Sequence, residues 1–201
     1  MISRGDNKKT IWNDENLIKV LKENGVVVML TDTLYGIVGR AQNIDVVNRI
    51  YKLRKRAPNK PCIILIFNIG ELEKFSISLS EEQKKVINNY WSFGFAQDEH
   101  NATSIVLDCP DEKFAYLHRG TKTLAFRLPL QTDLQNLLKE TGPLIAPSAN
   151  LEGLPPAENI SEARKYFGDS VDLYVDGGEI SGKASKVIKL HKDGIITILR
   201  K

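Results

Sequence analysis

PCIILIF, residues 61–67, is an unbroken apolar run bounded by Lys60 and Asn68. It is far shorter than the roughly 20 residues of a membrane helix, and it lacks the alternation of a half-buried strand. A strand covered on both faces reads this way, because both sets of alternate side chains are then removed from water. Upstream, Val26-Val27-Val28-Met29 opens a second such strand, expected over 26–30. Before it, Asn13-Asp14-Glu15-Asn16 offers an N-cap and an acidic first turn, Leu17, Ile18 and Leu21 an apolar face, and Gly25 a stop. After it, Asn43 caps a helix carrying Val46, Val47, Ile50 and Tyr51 that ends before Pro58.

Downstream, Ser80-Glu81-Glu82-Gln83 is a capping box for a helix reaching Tyr90-Trp91, and strands are expected over 103–108 and 123–128. Thr132-Asp133-Leu134-Gln135 reads as another capping box, its helix stopping at Gly142. A strand over 143–147, a helix over 161–168 and short strands near 172–176, 186–190 and 194–200 complete the chain. Helices and strands alternate without strict order, which predicts an α/β fold with a mixed, twisted sheet. At 201 residues, 1–201 reads as a single domain.

A composition of 42% hydrophobic and 26% charged residues excludes a disordered chain. A net charge of +3 tolerates an anionic ligand or RNA without requiring one. Cys62 and Cys109 sit in or beside apolar runs, as buried reduced thiols do, and the absence of CxxC or HExxH predicts no zinc site. The N-terminal MISRGDNKKTIWNDEN lacks an apolar signal core, so a cytoplasmic protein without membrane association is expected.

Three stretches invite a functional reading. LTDTLYGIVG (30–39) sets Thr31, Asp32, Thr33 and Tyr35 at a strand end, either as a turn with its own hydrogen bonds or as the floor of a site. Arg54 continues the stripe of Val47 and Ile50 and stands beside Lys55, Arg56 and Lys60; the cations could bind an anion or simply suit a helix C-terminus. Pro147-Ser148-Ala149-Asn150 follows a strand and could bind a ligand or its own turn. Gly177–Lys183 matches GxxxxGK, but Ala184 replaces the metal-binding hydroxyl and a strand pattern follows, so a phosphate loop is rejected. His100, His118 and His191 form no triad pattern, and Asp32 and Asp176 could bind magnesium or serve turns.

TDTLYGI (31–37), RIYKLRKRAPNKP (49–61), LAFRLP (124–129), APSANLEG (146–153), DGG (176–178), ASKVIKL (184–190) and ILR (198–200) together resemble the YrdC/TsaC family of threonylcarbamoyl-AMP synthases, in its short single-domain form. The resemblance implies a YrdC-like twisted mixed sheet flanked by helices, with a concave basic site. It implies a nucleotidyltransferase that uses L-threonine, bicarbonate and ATP with Mg²⁺ to make threonylcarbamoyl-AMP and pyrophosphate. A threonylcarbamoyl-transferase machinery acting on tRNA would be the partner.

On this resemblance Arg54 and Arg56 are the catalytic cations, and with Lys60 they hold the ATP phosphates. Ser104, Arg127, Ala146, Ser148, Asn150 and Arg200 complete the ATP site, while Thr31, Thr33, Tyr35 and Ser185 take threonine. Leu30 stands where the family has proline, Arg54 where it has lysine, and 92–101 reads as a loop insertion replacing Pro-Gly. A YrdC-like nucleotide- or RNA-binding protein without synthase activity is the alternative.

Overall fold

The computed structural model describes residues 11–91 and 102–201; the expected insertion at 92–101 lies outside them. Six helices, α1 (Glu15–Lys22), α2 (Ile44–Leu53), α3 (Glu81–Trp91), α4 (Ala115–His118), α5 (Thr132–Thr141) and α6 (Ile160–Phe167), pack on one mixed sheet. Its strands are β1 (Val27–Leu30), β2 (Tyr35–Arg40), β3 (Ile63–Leu65), β4 (Thr103–Asp108), β5 (Thr123–Arg127), β6 (Leu144–Ile145), β7 (Leu173–Tyr174), β8 (Lys186–Leu190) and β9 (Ile196–Arg200). They lie in the order β7-β1-β2-β6-β3-β5-β4-β8-β9. The pairs β1–β7, β3–β5 and β4–β8 are parallel and the remaining pairs antiparallel.

The apolar run at 61–67 lies at the centre of this sheet and is covered on both sides. Cys62, Ile64 and Ile66 enter the larger core, with Val47 and Ile50 of α2, Ile87 of α3 and Phe167 of α6. Leu65, with Ile63 and Phe67 at its margin, enters a smaller core built from Leu17 and Leu21 of α1 and Leu134, Leu137 and Leu138 of α5. Val26 and Val28 face the first core, Val27 and Met29 the second, as a two-residue period requires.

Local signals hold at several ends. Asn43 accepts from the backbone N–H groups of Asp45 and Val46 at 3.0 Å each. Ser80 and Gln83 exchange the two bonds of a capping box at 3.0 and 3.1 Å.

Three expectations are corrected. Asn24, with φ +66°, and not Gly25, takes the left-handed turn after α1. Gly25 is required for a different reason, since a Cβ there would overlap Val20. Thr132 is the first residue of α5 rather than its cap; Gln131 is the cap and makes no side-chain capping bond, while Gln135 donates to the Pro129 carbonyl at 2.7 Å. Residues 35–40, expected only as part of the 30–39 motif, form a paired strand. Gly36 and Gly39 weaken the strand pattern there, yet the fold needs both for close approach. A Cβ on Gly36 would lie 2.9 Å from Thr31 Cγ2, and one on Gly39 would overlap Val46.

Candidate anion-binding site

The smaller core covers only one half of the sheet. In β4, β5 and β8, Ile105, Leu107, Leu124, Phe126, Ile188 and Leu190 enter the larger core. Their alternates, Val106, Thr123, Ala125, Arg127 and Val187, face a cavity of about 470 Å³. The same strand alternation therefore builds the core on one face and a ligand-sized recess on the other.

The β1–β2 connection closes one wall. Thr31 donates to the Leu34 carbonyl from its backbone N–H (2.9 Å) and its hydroxyl (2.7 Å), so this is a turn with its own hydrogen bonds. Thr31 and Thr33 also line the cavity, so the turn forms part of its wall. The fully buried Tyr35 hydroxyl accepts from the Gly177 N–H (2.9 Å) and donates to the Gly178 carbonyl (2.7 Å). Burial above all, with Asp176 nearby, raises its pKa, and the phenol serves to anchor the 176–178 turn. Gly36 lets β2 bridge to Ser148.

The cations divide into two kinds. Arg127 donates from Nε (2.9 Å) and Nη2 (2.6 Å) to Asp32, each side chain 4% exposed, so its charge is matched by a buried carboxylate. Arg54, the C-cap of α2 and 3% exposed, donates from Nε to the Asn150 carbonyl (3.1 Å) and from Nη2 to Asn150 Oδ1 (2.8 Å) and Ser148 Oγ (3.4 Å). Its buried Nη1 has no partner. Burial first, then the Arg56 cation, lowers its pKa. Arg56 donates to the carbonyls of Lys60 and Pro61, at 2.9 Å each. Arg200 donates to the Ser185 carbonyl (2.9 Å) and hydroxyl (3.3 Å); burial and the facing Arg127 cation lower its pKa. Among the described residues, Arg54, Arg56 and Arg200 thus hydrogen-bond neutral oxygens and make no ion pair, although the Glu152 carboxylate lies within electrostatic reach of Arg54 and Arg56.

Of the ATP- and threonine-site residues that the resemblance implies, all but Lys60, Ser104 and Asn150 line the cavity. Asn150 stands behind Arg54, its Oδ1 accepting also from Ser148 (2.7 Å) and its Nδ2 donating to the Leu151 and Leu154 carbonyls. Ser104 is buried behind Ser185, their hydroxyls 2.9 Å apart. Lys60 is exposed and paired with Glu152 at 2.5 Å.

Sequence reasoning missed the wall made by Thr121, Thr123, Ala125, Val187 and Leu199. The alternation in TLAFR could have found part of it, because Leu124 and Phe126 are the core positions. Among the described residues no group of three or more His, Cys, Asp or Glu could hold a metal ion, and Asp32 is engaged by Arg127.

Among the described residues, hydroxyls and guanidiniums without an ion-pair partner gather around one recess of this α/β fold, an arrangement whose chemistry suits an anionic small molecule. The chain belongs to the Sua5/YciO/YrdC family, whose profile, described as "Telomere recombination", matches residues 19–201. It is 30% identical over 183 residues to the threonylcarbamoyl-AMP synthase of Bacillus subtilis strain 168, covering 90% of this chain and 51% of that protein. A variant of Pyrococcus abyssi Sua5 superposes with a TM-score of 0.81 at 25% identity, over 96% of this chain and 57% of that one. P. abyssi Sua5 complexed with L-threonine gives 0.76 at 26% identity, over 90% and 51%. The chain therefore spans about half the length of these relatives.

Proposed function

We propose that the chain is an L-threonylcarbamoyladenylate synthase, a cytoplasmic nucleotidyltransferase that supplies threonylcarbamoyl-AMP for the threonylcarbamoyladenosine modification of tRNA. The observation that carries this reading is the convergence of Thr31, Thr33, Arg54, Arg56, Ser148, Ser185 and Arg200 on one recess. The names of the relatives and the threonine complex of one of them agree with it.

In this reaction the threonine amine attacks the carbon of bicarbonate and water leaves, giving a carbamate. A carbamate oxygen then attacks the α-phosphorus of ATP, and the bond to the pyrophosphate oxygen breaks. Every reactant is anionic except at the threonine amine, so alignment and charge neutralisation are what the protein must supply. Arg54, with its unpartnered Nη1, and Arg56 hold the phosphates on this reading. Ala146, Ser148 and Arg200 border the nucleotide, with Ser104 behind Ser185. Thr31, Thr33 and Ser185 orient threonine, while Tyr35, itself part of the lining, anchors the 176–178 turn through its hydroxyl. Arg127 acts through its pair with Asp32, and Lys60 reaches a phosphate only by exchanging Glu152 for it. Asp32 is engaged by Arg127, so a Mg²⁺ ion arriving with ATP would take its ligands from phosphate oxygens and water and would offset phosphate charge.

The test is pyrophosphate release from ATP, Mg²⁺ and bicarbonate with and without L-threonine. Release that requires threonine is expected; ATP binding without it would leave a nucleotide- or RNA-binding protein. Arg56→Ala should raise the Kd for ATP about tenfold or more, the loss of a charge-assisted hydrogen bond, with an unchanged far-UV spectrum. Unaltered ATP affinity would show that the cationic loop is not the phosphate site.

A further inference from the structure

We propose that Glu152 is a positioning residue: a carboxylate clasp that holds the 54–60 loop in the shape that presents Arg54 and Arg56 to an anionic ligand. The proposal deepens the synthase reading and rests on it for the identity of the anion.

Glu152 touches the loop at three points along its length. Its backbone N–H donates to the Arg54 carbonyl at 2.9 Å, one carboxylate oxygen accepts from the Ala57 N–H, and the other pairs with Lys60 Nζ at 2.5 Å. The loop needs such support. Lys55 holds φ +49°, a left-handed backbone that disfavours a side chain with a Cβ. Among the described residues, the other hydrogen bonds of 55–60 stay within 51–61: Lys55 N–H to the Lys52 carbonyl (3.1 Å), Arg56 N–H to the Tyr51 carbonyl (3.0 Å), Lys60 N–H to the Ala57 carbonyl (3.2 Å), Tyr51 hydroxyl to the Lys60 carbonyl (2.9 Å), and the two Arg56 side-chain bonds. Glu152 thus joins this segment to the 148–152 wall, alongside the Arg54–Asn150 contact.

The carboxylate does not compete for the ligand's place. Neither Glu152 nor Lys60 lines the cavity, whereas Arg54, Arg56 and Ser148 do. Its influence passes through the backbone of the loop to the guanidiniums. Lys60 and the Ala57 N–H hold the Glu152 carboxyl below the usual carboxylate range, so the clasp is charged at neutral pH.

The experiment compares the unsubstituted chain with Glu152→Ala and Glu152→Gln; Gln keeps an oxygen for the Ala57 N–H and loses the charge that Lys60 meets. Calorimetry with Mg-ATP should show Kd about tenfold higher for Glu152→Ala, with most of that restored in Glu152→Gln. The KM for ATP should follow, while kcat and the KM for threonine stay within about twofold. Amide exchange at Ala57 should be fast in the Ala variant and slow in the other two. ATP affinity that is unchanged or tighter in Glu152→Ala would overturn the positioning role. Equal Ala57 exchange in all three chains would overturn the clasp itself, and that readout needs no ATP. An unsubstituted chain that binds no ATP would instead refute the synthase reading, and with it the role of the clasp toward ATP.

Discussion

Asp32 and Arg127 show how a single residue's role is set by a partner 95 positions away. Read in sequence, Asp32 offers a magnesium ligand or a turn residue; in the fold its carboxylate meets Nε and Nη2 of Arg127 in a nearly water-free place. Removing one member of such a pair leaves the other buried and uncompensated, which costs about 3–5 kcal/mol. Asp32→Ala should therefore lower the urea unfolding free energy by about that amount. A loss of less than about 1 kcal/mol would mean that Arg127 finds water or another acceptor. Arg54 is the opposite case: its place on the stripe of α2 was legible, but its unpartnered Nη1 became visible only once Asn150 and Ser148 were in position.

At the level of elements, capping and periodicity carried the helices well, and the errors are instructive. Thr132 matches a capping pattern, yet the chain enters α5 one residue earlier, and Gln135 donates to the Pro129 carbonyl instead of completing a capping box. β2 was hidden by its two glycines, whose weak strand preference is overridden by pairing on both sides, with β1 and β6. The GxxxxGK stretch proved to be neither a phosphate loop nor a helix start: residues 177–183 form an irregular segment laid against the Thr31–Thr33 turn. Gly182 is where they touch, since a Cβ there would overlap the backbone carbonyl oxygen of Thr33. A backbone atom cannot swing aside as a side chain can. Gly182→Ala should thus push the segment off the turn and lower kcat/KM for threonine about tenfold. The thermal midpoint should move by no more than about 4 °C, since no core contact is lost. Full activity in that variant would separate the segment from the site.

Across the whole molecule, the decisive feature is uneven cover. Helices α1 and α5 close one face over the half of the sheet around β1, β2 and β3, and the same face over β5, β4 and β8 is left to the cavity. Adjacent residues of β5 consequently have opposite fates. Phe126→Ala should cost about 3–5 kcal/mol of stability, because the ring packs on Phe75 with centroids 5.2 Å apart. Ala125→Phe should leave the unfolding free energy within about 1 kcal/mol of the unsubstituted chain, and abolish ATP binding by filling the recess. Urea titration and calorimetry on both variants check the pair; the reverse pattern would mean that the faces of the sheet are misassigned.

The sequence by itself determined the α/β class, most helix ends, the buried central strand and the set of motifs that place the chain in its family. These are local matters, decided by side-chain periodicity and by residues a few positions apart. Only the tertiary structure decided that Arg127 is ion-paired while Arg54, Arg56 and Arg200 bond neutral oxygens, that Asn150 stands behind the wall, and that Lys60 is exposed and paired with Glu152. It also showed one face of the sheet to be half core and half cavity. Those outcomes depend on which distant groups share a desolvated space, and charge in such a space is governed by its nearest partner rather than by its neighbours along the chain.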